Sequence, residues 1–171
     1  LLGSGGFAQV FVVEHLQLGT EMALKALDID PSSPRWPEFH RRFLAEAKAA
    51  ASVRHSNVVT IHDFGVVEET GRPFIIMERL DGHDLEHELR HRGPLTSARA
   101  LGLFAEALDA LHSAHAKGIV HKDLKPANLF VVAPGTPDEK LVVMDFGVAR
   151  VEDEEKATAT GQTWGTPQYL A

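Results

Sequence analysis

The distribution of apolar residues divides the chain into a strand-rich first part and a helix-rich second part. Residues 9 to 15 and 20 to 28 read as strands joined by a turn at Leu18-Gly19-Thr20. Val10, Val12 and Ala23 are the apolar positions of a partial alternation there. Pro31-Ser32-Ser33-Pro34 is a short loop, and a helical pattern starts near Trp36-Pro37, with proline tolerated in the first turn. Phe39, Phe43, Ala47 and Ala50 form its apolar stripe at spacings of four, four and three. Glu46 lies within that stripe, and an acid on a buried face needs a cationic partner. Residues 58 to 66 and 73 to 78 read as two further strands. Leu80-Asp81-Gly82 then serves as a connector.

Residues 84 to 91 read as a short polar helix. Thr96 has the character of an N-cap for a long helix running to Lys117 and closed by Gly118. The expected buried stripe of that helix is Leu101, Phe104, Ala105, Leu108 and Leu111. Residues 129 to 132 and 141 to 144 form a second hairpin, with Pro134-Gly135-Thr136-Pro137 in its turn. From Val148 onward the chain is polar and threonine-rich, and is expected to be mobile. There is no internal repeat.

The 171 residues suffice for one domain with a real core. Hydrophobic residues at 44% and charged residues at 24% match a soluble globular protein. A net charge of −7 argues against nucleic acid or an anionic membrane as partner. The absence of cysteine excludes disulfides and thiolate metal sites. No apolar run within these residues approaches the roughly 20 of a membrane span, and no signal peptide is expected within this stretch.

The candidate chemistry concentrates in His121-Lys122-Asp123-Leu124-Lys125-Pro126-Ala127-Asn128 and in Asp145-Phe146-Gly147. Two acids, an amide and a lysine are set out on two short loops. Together they could take a proton from an alcohol, hold a divalent metal on a nucleotide and steady a phosphoryl group. Singly, each could be a loop-capping residue. Gly3, Gly5 and Gly6 let backbone N–H groups approach phosphate oxygens, or simply make a tight turn. Lys25 sits on an otherwise apolar strand, where it either reaches solvent or carries a needed charge. His83, His87 and His91 recur every four residues, as zinc ligands sometimes do. Glu86, Glu88 and Arg90 around them suit a plain solvated face better. His112 and His115 read as packing or surface residues.

Taken in order, these motifs resemble the eukaryotic-like (Hanks-type) protein serine/threonine kinase family. Gly3-Ser4-Gly5-Gly6-Phe7-Ala8-Gln9-Val10 is similar to its glycine-rich loop, although Ala8 stands at the third glycine position. Met22-Ala23-Leu24-Lys25 resembles the Val-Ala-Ile-Lys strand, and Gly165-Thr166-Pro167-Gln168-Tyr169 the substrate-docking loop. The resemblance implies an α+β, two-lobed fold. Residues 1-80 would form an N-lobe with a small antiparallel sheet and one key helix. Residues 81-171 would form part of a helical C-lobe, ending in the activation and substrate-docking loop. It covers nearly the whole chain but only about the first two-thirds of a family domain, so the chain is expected to be a fragment with little activity alone. The alanine-rich, cysteine-free composition has a bacterial look.

The resemblance also implies roles. Asp123 would be the catalytic base and Lys125, the serine/threonine mark, would neutralise the γ-phosphoryl group. Lys25 would hold the α- and β-phosphates in an ion pair with Glu46. Asn128 and Asp145 would bind Mg²⁺, with Mn²⁺ as a substitute. Leu2, Gly3, Gly5, Gly6, Val10, Ala23, Lys25, Met77, Glu78, Leu80 and Phe130 would surround ATP. Met77 would be the gatekeeper, Val10, Ala23 and Phe130 the adenine sandwich, and Glu78 and Leu80 backbone partners of the purine. Phe7 would shield the phosphates. His121, Phe146 and Ala50 would belong to a core column, loosened by the small alanine. Lys122 departs from the usual arginine that reads a phosphothreonine, keeping the charge but losing the bidentate fork. Thr158 and Thr160, with Thr163 as a further candidate, would be phosphosites, reached by self-association and phosphorylation in trans. Thr166 would contact the catalytic aspartate. Partners would be ATP and proteins bearing serine or threonine. Location would be cytoplasmic, with any membrane anchor lying outside this stretch. Two other readings use the same residues: a nucleotide-binding pseudokinase, and a small-molecule kinase of the aminoglycoside type.

Overall fold

A computed structural model describes residues 1–5 and 8–146 of the chain. Expectations on Gly6, Phe7, Gly147, Thr158, Thr160, Thr163, Thr166 and the docking motif 165–169 lie outside the described residues. The chain divides into two compact units: Leu1–Ala51 with Thr60–Arg79, and Ser52–Val59 with the chain from Leu80 onward.

The first unit holds an antiparallel sheet of β1 (Gly3–Gly5), β2 (Ala8–Glu14), β3 (Glu21–Leu27), β4 (Ile61–Val66) and β5 (Pro73–Glu78), in the order β1-β2-β3-β5-β4. The β2–β3 hairpin closes with His15 N–H donating to Thr20 O at 2.9 Å, and Gly19 takes φ 64° in the turn. Pairing of Val10 with Lys25, Val12 with Ala23, Ala23 with Met77 and Lys25 with Ile75 puts these six side chains on one sheet face. Ala23, Ile75 and Met77 are buried there. Helix α1 (Trp36–Ser52) buries Phe39, Phe43, Ala47 and Ala50, the stripe expected from their spacing. Stacked rings of Trp36, Phe39 and Phe43 fill its first turns.

The second unit holds the sheet β6-β7-β8, made of β6 (Gly82–Asp84), β7 (Leu129–Val132) and β8 (Lys140–Val143). It also holds α2 (Leu85–Arg92) and α3 (Ser97–His115). Glycine is required at 82: φ is +153°, and a Cβ there would stand 2.0 Å from the Val131 carbonyl oxygen. Asp84 caps α2 by accepting from His87 N–H, and Thr96 caps α3 by accepting from Arg99 N–H.

Four expectations are corrected. The buried face of α3 is Leu103, Ala107, Ala110 and Ala114, while Leu101, Phe104 and Leu108 are exposed, as is Ala105, and Leu111 is half-buried. Alanines let the helix backbone approach β8 closely, so the small residues face the sheet and the bulky ones lie roughly a third of a turn away. Helix α3 ends at His115 rather than Lys117, and Gly118 at φ 73° closes the turn that follows. Val58 does not start β4 but bridges Val143 in parallel. Glu88 is not on a solvated face; it is 1% exposed.

Glu88 is tolerated there because its oxygens are paired. Arg99 Nη1 donates to Oε1 at 2.7 Å, Arg92 lies at 3.6 Å, and His83 Nε2 pairs with Oε2. The Arg99 hydrogen bond, against the opposing effect of burial and with help from His83, pulls the Glu88 carboxyl down to about 2. Arg99 also makes two bonds to Glu139, at 2.9 and 3.0 Å, tying α2 and α3 to the β7–β8 turn.

Candidate active site

The loop between α3 and β7 is built around His121, which is 2% exposed. Its Nε2 bonds Met144 O at 2.7 Å, and Asp123 N–H reaches Nδ1 at 3.3 Å. A carbonyl only accepts and an amide N–H only donates, so the ring is the neutral Nε2–H tautomer. Burial lowers its pKa accordingly, against the raising effects of the Met144 bond, Asp145 and Asp123. The Phe146 ring packs on it with centroids 4.8 Å apart. Met144 N–H donates to Asn128 O at 2.9 Å. One backbone residue therefore joins the 121–128 loop to the strand that delivers Asp145.

Within this loop three side chains converge. Lys125 Nζ lies 2.7 Å from Asp123 Oδ2, and Asn128 Nδ2 donates to the same oxygen at 3.0 Å and to Asp123 O at 2.8 Å. Asp123 is only 10% exposed at its side chain, and Asn128 is buried. Local sequence explains the fold: Pro126 starts a 3-10 turn, Pro126–Asn128, which swings Asn128 back over Asp123. Lys122 (φ 67°) and Asp145 (φ 55°) both hold left-handed backbone, which costs of order 1–3 kcal/mol each for residues other than glycine.

The two Asn128 Nδ2 bonds settle which way the amide faces and turn its Oδ1 away from Asp123. An amide oxygen and the Asp145 carboxylate are hard donors of the sort Mg²⁺ prefers. Among the described residues no group of three or more His, Cys, Asp or Glu could hold an ion by itself. Such a pair suits a metal that takes its remaining ligands from water and phosphate. The histidine repeat is not a metal site either: His83 is on β6 and bonded to Glu88, His91 Nδ1 bonds His87 O at 2.9 Å, and the His87 and His91 rings stack at 4.0 Å.

The remaining candidates fall by unit. Leu2, Gly3, Gly5, Val10, Ala23, Lys25, Glu46, Met77 and Glu78 are in the first; Leu80 and Phe130 are in the second with Asp123, Lys125, Asn128 and Asp145. Val10, Ala23, Lys25 and Met77 share one sheet face, with Gly3 paired to Val10 and Leu2 N–H donating to Val10 O at 2.7 Å. Glu78 has more than a backbone role: its Oε1 accepts Thr60 N–H at 2.6 Å while its own N–H donates to Thr60 O at 2.9 Å. Phe130 pairs with Asp84 across β6 and β7.

Sequence reasoning missed Asn57 and Glu106. Asn57 Nδ2 donates to Leu141 O at 2.7 Å and to Glu106 Oε2 at 3.1 Å, and that Glu106 oxygen also accepts Leu141 N–H at 2.6 Å. The available signal was an acid three residues after Leu103 and four before Ala110, beside the face that α3 buries.

A protein kinase domain model matches residues 1–171. The chain is 36% identical over 174 residues to the serine/threonine-protein kinase PknA of Mycobacterium tuberculosis, covering 100% of this chain and 39% of that protein. It is 37% identical over 175 residues to the serine/threonine-protein kinase PknB of the same species, covering 27% of that protein. The crystal structure of the Mycobacterium tuberculosis PknI kinase domain superposes with a TM-score of 0.73 at 30% identity, covering 86% of this chain and 57% of that one. The chain thus spans well under half the length of these curated relatives.

Proposed function

The chain belongs to the protein kinase domain family, and from that premise we propose that it transfers the γ-phosphoryl group of ATP to serine and threonine hydroxyls of proteins. The observation that carries this reading is the convergence of Lys125 Nζ and Asn128 Nδ2 on Asp123 Oδ2, at 2.7 and 3.0 Å. Two donors on one oxygen hold the carboxylate in place, and in this reading Oδ1 is the oxygen that accepts from the substrate. In this role Asp123 orients the substrate hydroxyl and takes its proton as the O–P bond forms. Lys125 keeps a positive charge beside the carboxylate, where charge moves during transfer.

Asn128 Oδ1 and Asp145 would hold Mg²⁺, which when bound neutralises charge on the phosphate oxygens. Lys25 would hold the α- and β-phosphates, oriented by Glu46 of α1. At about 4 Å such an ion pair is worth roughly 4 kcal/mol of Coulomb energy at an effective dielectric of 20, before desolvation. Val10, Ala23 and Phe130 would contact the adenine, with Met77 as gatekeeper. Backbone groups of Leu2, Gly3, Gly5, Gly6, Glu78 and Leu80 would complete the nucleotide site. A cytoplasmic location goes with the need for ATP; among the described residues no helix is long and apolar enough to cross a membrane. Thr158 and Thr160 would be phosphorylated in trans by a second copy.

The test is to incubate the intact protein with γ-labelled ATP and Mg²⁺, with and without a generic basic protein. Label on Thr158, Thr160 or the added protein, lost in Asp123→Asn, is the expected result. Nucleotide binding without any transfer would make the chain a regulatory module. Transfer only to an added small metabolite would make it a kinase of another substrate class.

A further inference from the structure

Strand β8 lies at the edge of its sheet, so alternate backbone groups face away from β7 and need partners elsewhere. Those of Leu141 and Val143 find them outside the sheet. Leu141 N–H donates to Glu106 Oε2 at 2.6 Å and Leu141 O accepts Asn57 Nδ2 at 2.7 Å. Val143 N–H donates to Asn57 O at 2.8 Å and Val143 O accepts Val59 N–H at 3.0 Å. Glu106 and Asn57 are joined to each other at 3.1 Å. The strand is thus saturated on its open side up to the residue before Met144. Asp145 follows Met144 directly, in left-handed backbone at φ 55°. A strained residue of this kind persists only where its surroundings over-determine it.

We propose that Glu106 and Asn57 act as a pair of positioning residues for Asp145, holding β8 so that the Asp145 carboxylate keeps the orientation needed for metal. This rests on the reading of Asp145 as a metal-holding residue. The clamp is built from one side chain of α3 and one of the 53–60 loop. Neither touches nucleotide or metal in this scheme; both act through the backbone of Leu141 to Met144. Removing the Glu106 carboxylate leaves Leu141 N–H and the Asn57 amide short of an acceptor, and β8 can shift to satisfy them. Asp145 then relaxes toward negative φ, which re-aims its side chain.

The experiment uses the intact protein and a non-hydrolysable ATP analogue, titrated by calorimetry with and without Mg²⁺. The quantity read is the factor by which Mg²⁺ raises nucleotide affinity. Glu106→Ala and Asn57→Ala are expected to lose at least fivefold of that factor while the metal-free affinity stays within twofold. Glu106→Gln, which keeps one acceptor oxygen, is expected to fall between. Amide hydrogen exchange without nucleotide is expected to quicken at Leu141 in both alanine variants. Full retention of the Mg²⁺ factor in folded Asn57→Ala and Glu106→Gln would overturn the proposal, even if Glu106→Ala did not fold. Asp145→Ala separates the two claims. It must abolish the factor; if it does not, the metal reading is wrong and the positioning role falls with it.

Discussion

His121 holds the carbonyl of Met144 through its Nε2 proton at 2.7 Å, and so fastens the loop that carries Asp123 to the strand end that carries Asp145. The ring must be neutral to receive Asp123 N–H at Nδ1 as well. Protonation breaks this arrangement at one bond and places a charge in a site 2% exposed.

A pH dependence follows. Burial lowers the folded-state pKa of His121 below its ordinary value of 6.5. The unfolded chain therefore takes up this proton first as pH falls. The contribution is fully present above pH 6.5 and is lost progressively below it, toward the folded-state pKa. Urea unfolding of the intact protein between pH 7.5 and 5 should show a declining midpoint that is shallower in His121→Gln. Equal slopes in the two proteins would rule out this histidine as the source.

Lys25→Ala should lower turnover at least ~100-fold, about 2.7 kcal/mol of transition-state stabilisation. Steady-state phosphoryl transfer by the intact protein measures it. A loss under about fivefold would mean that the lysine is a surface residue of β3 and not a phosphate ligand.

Glu88→Gln should destabilise the protein by about 3 kcal/mol, because it leaves Arg99 and His83 facing a neutral amide in a buried site. The lowered Glu88 pKa gives the sign in acid. Its stabilisation is present above about 4.5, its ordinary value, and is lost as pH falls toward about 2. Thermal unfolding at pH 7 and pH 3 should therefore separate the two proteins widely at the first pH and narrowly at the second. A constant difference would contradict the paired-carboxylate account.

Much of the fold was legible because local pattern and tertiary packing agree. The α1 stripe Phe39, Phe43, Ala47 and Ala50 is buried as its spacing requires, and β5 spans the residues its apolar run marks. Helix α3 buries a face that is not its bulkiest apolar one. Leu101, Phe104 and Leu108 outweigh three alanines in any apolar count, yet only the alanine face is flat enough to lie on β8. Glu88 departs from its local pattern in a related way: a charge among charges looks solvated until Arg99 and His83 are seen to surround it.

What the chain alone determined was the set of chemical groups and their order: two acids, an amide and a lysine on short loops, and a second lysine on an apolar strand. Those loops are governed by local rules, such as the proline that starts the turn at Pro126–Asn128, so their residues could be named from the sequence. Tertiary structure decided which of those groups meet, and what holds them. The bond from His121 to Met144 O, which fixes the neutral tautomer, and the grip of Glu106 and Asn57 on β8 both join residues far apart in the chain. Hydrogen bonds between residues as far apart as Asn57 and Leu141 leave no periodic trace in the sequence, because each is fixed by the packing of whole elements and not by the neighbours along the chain.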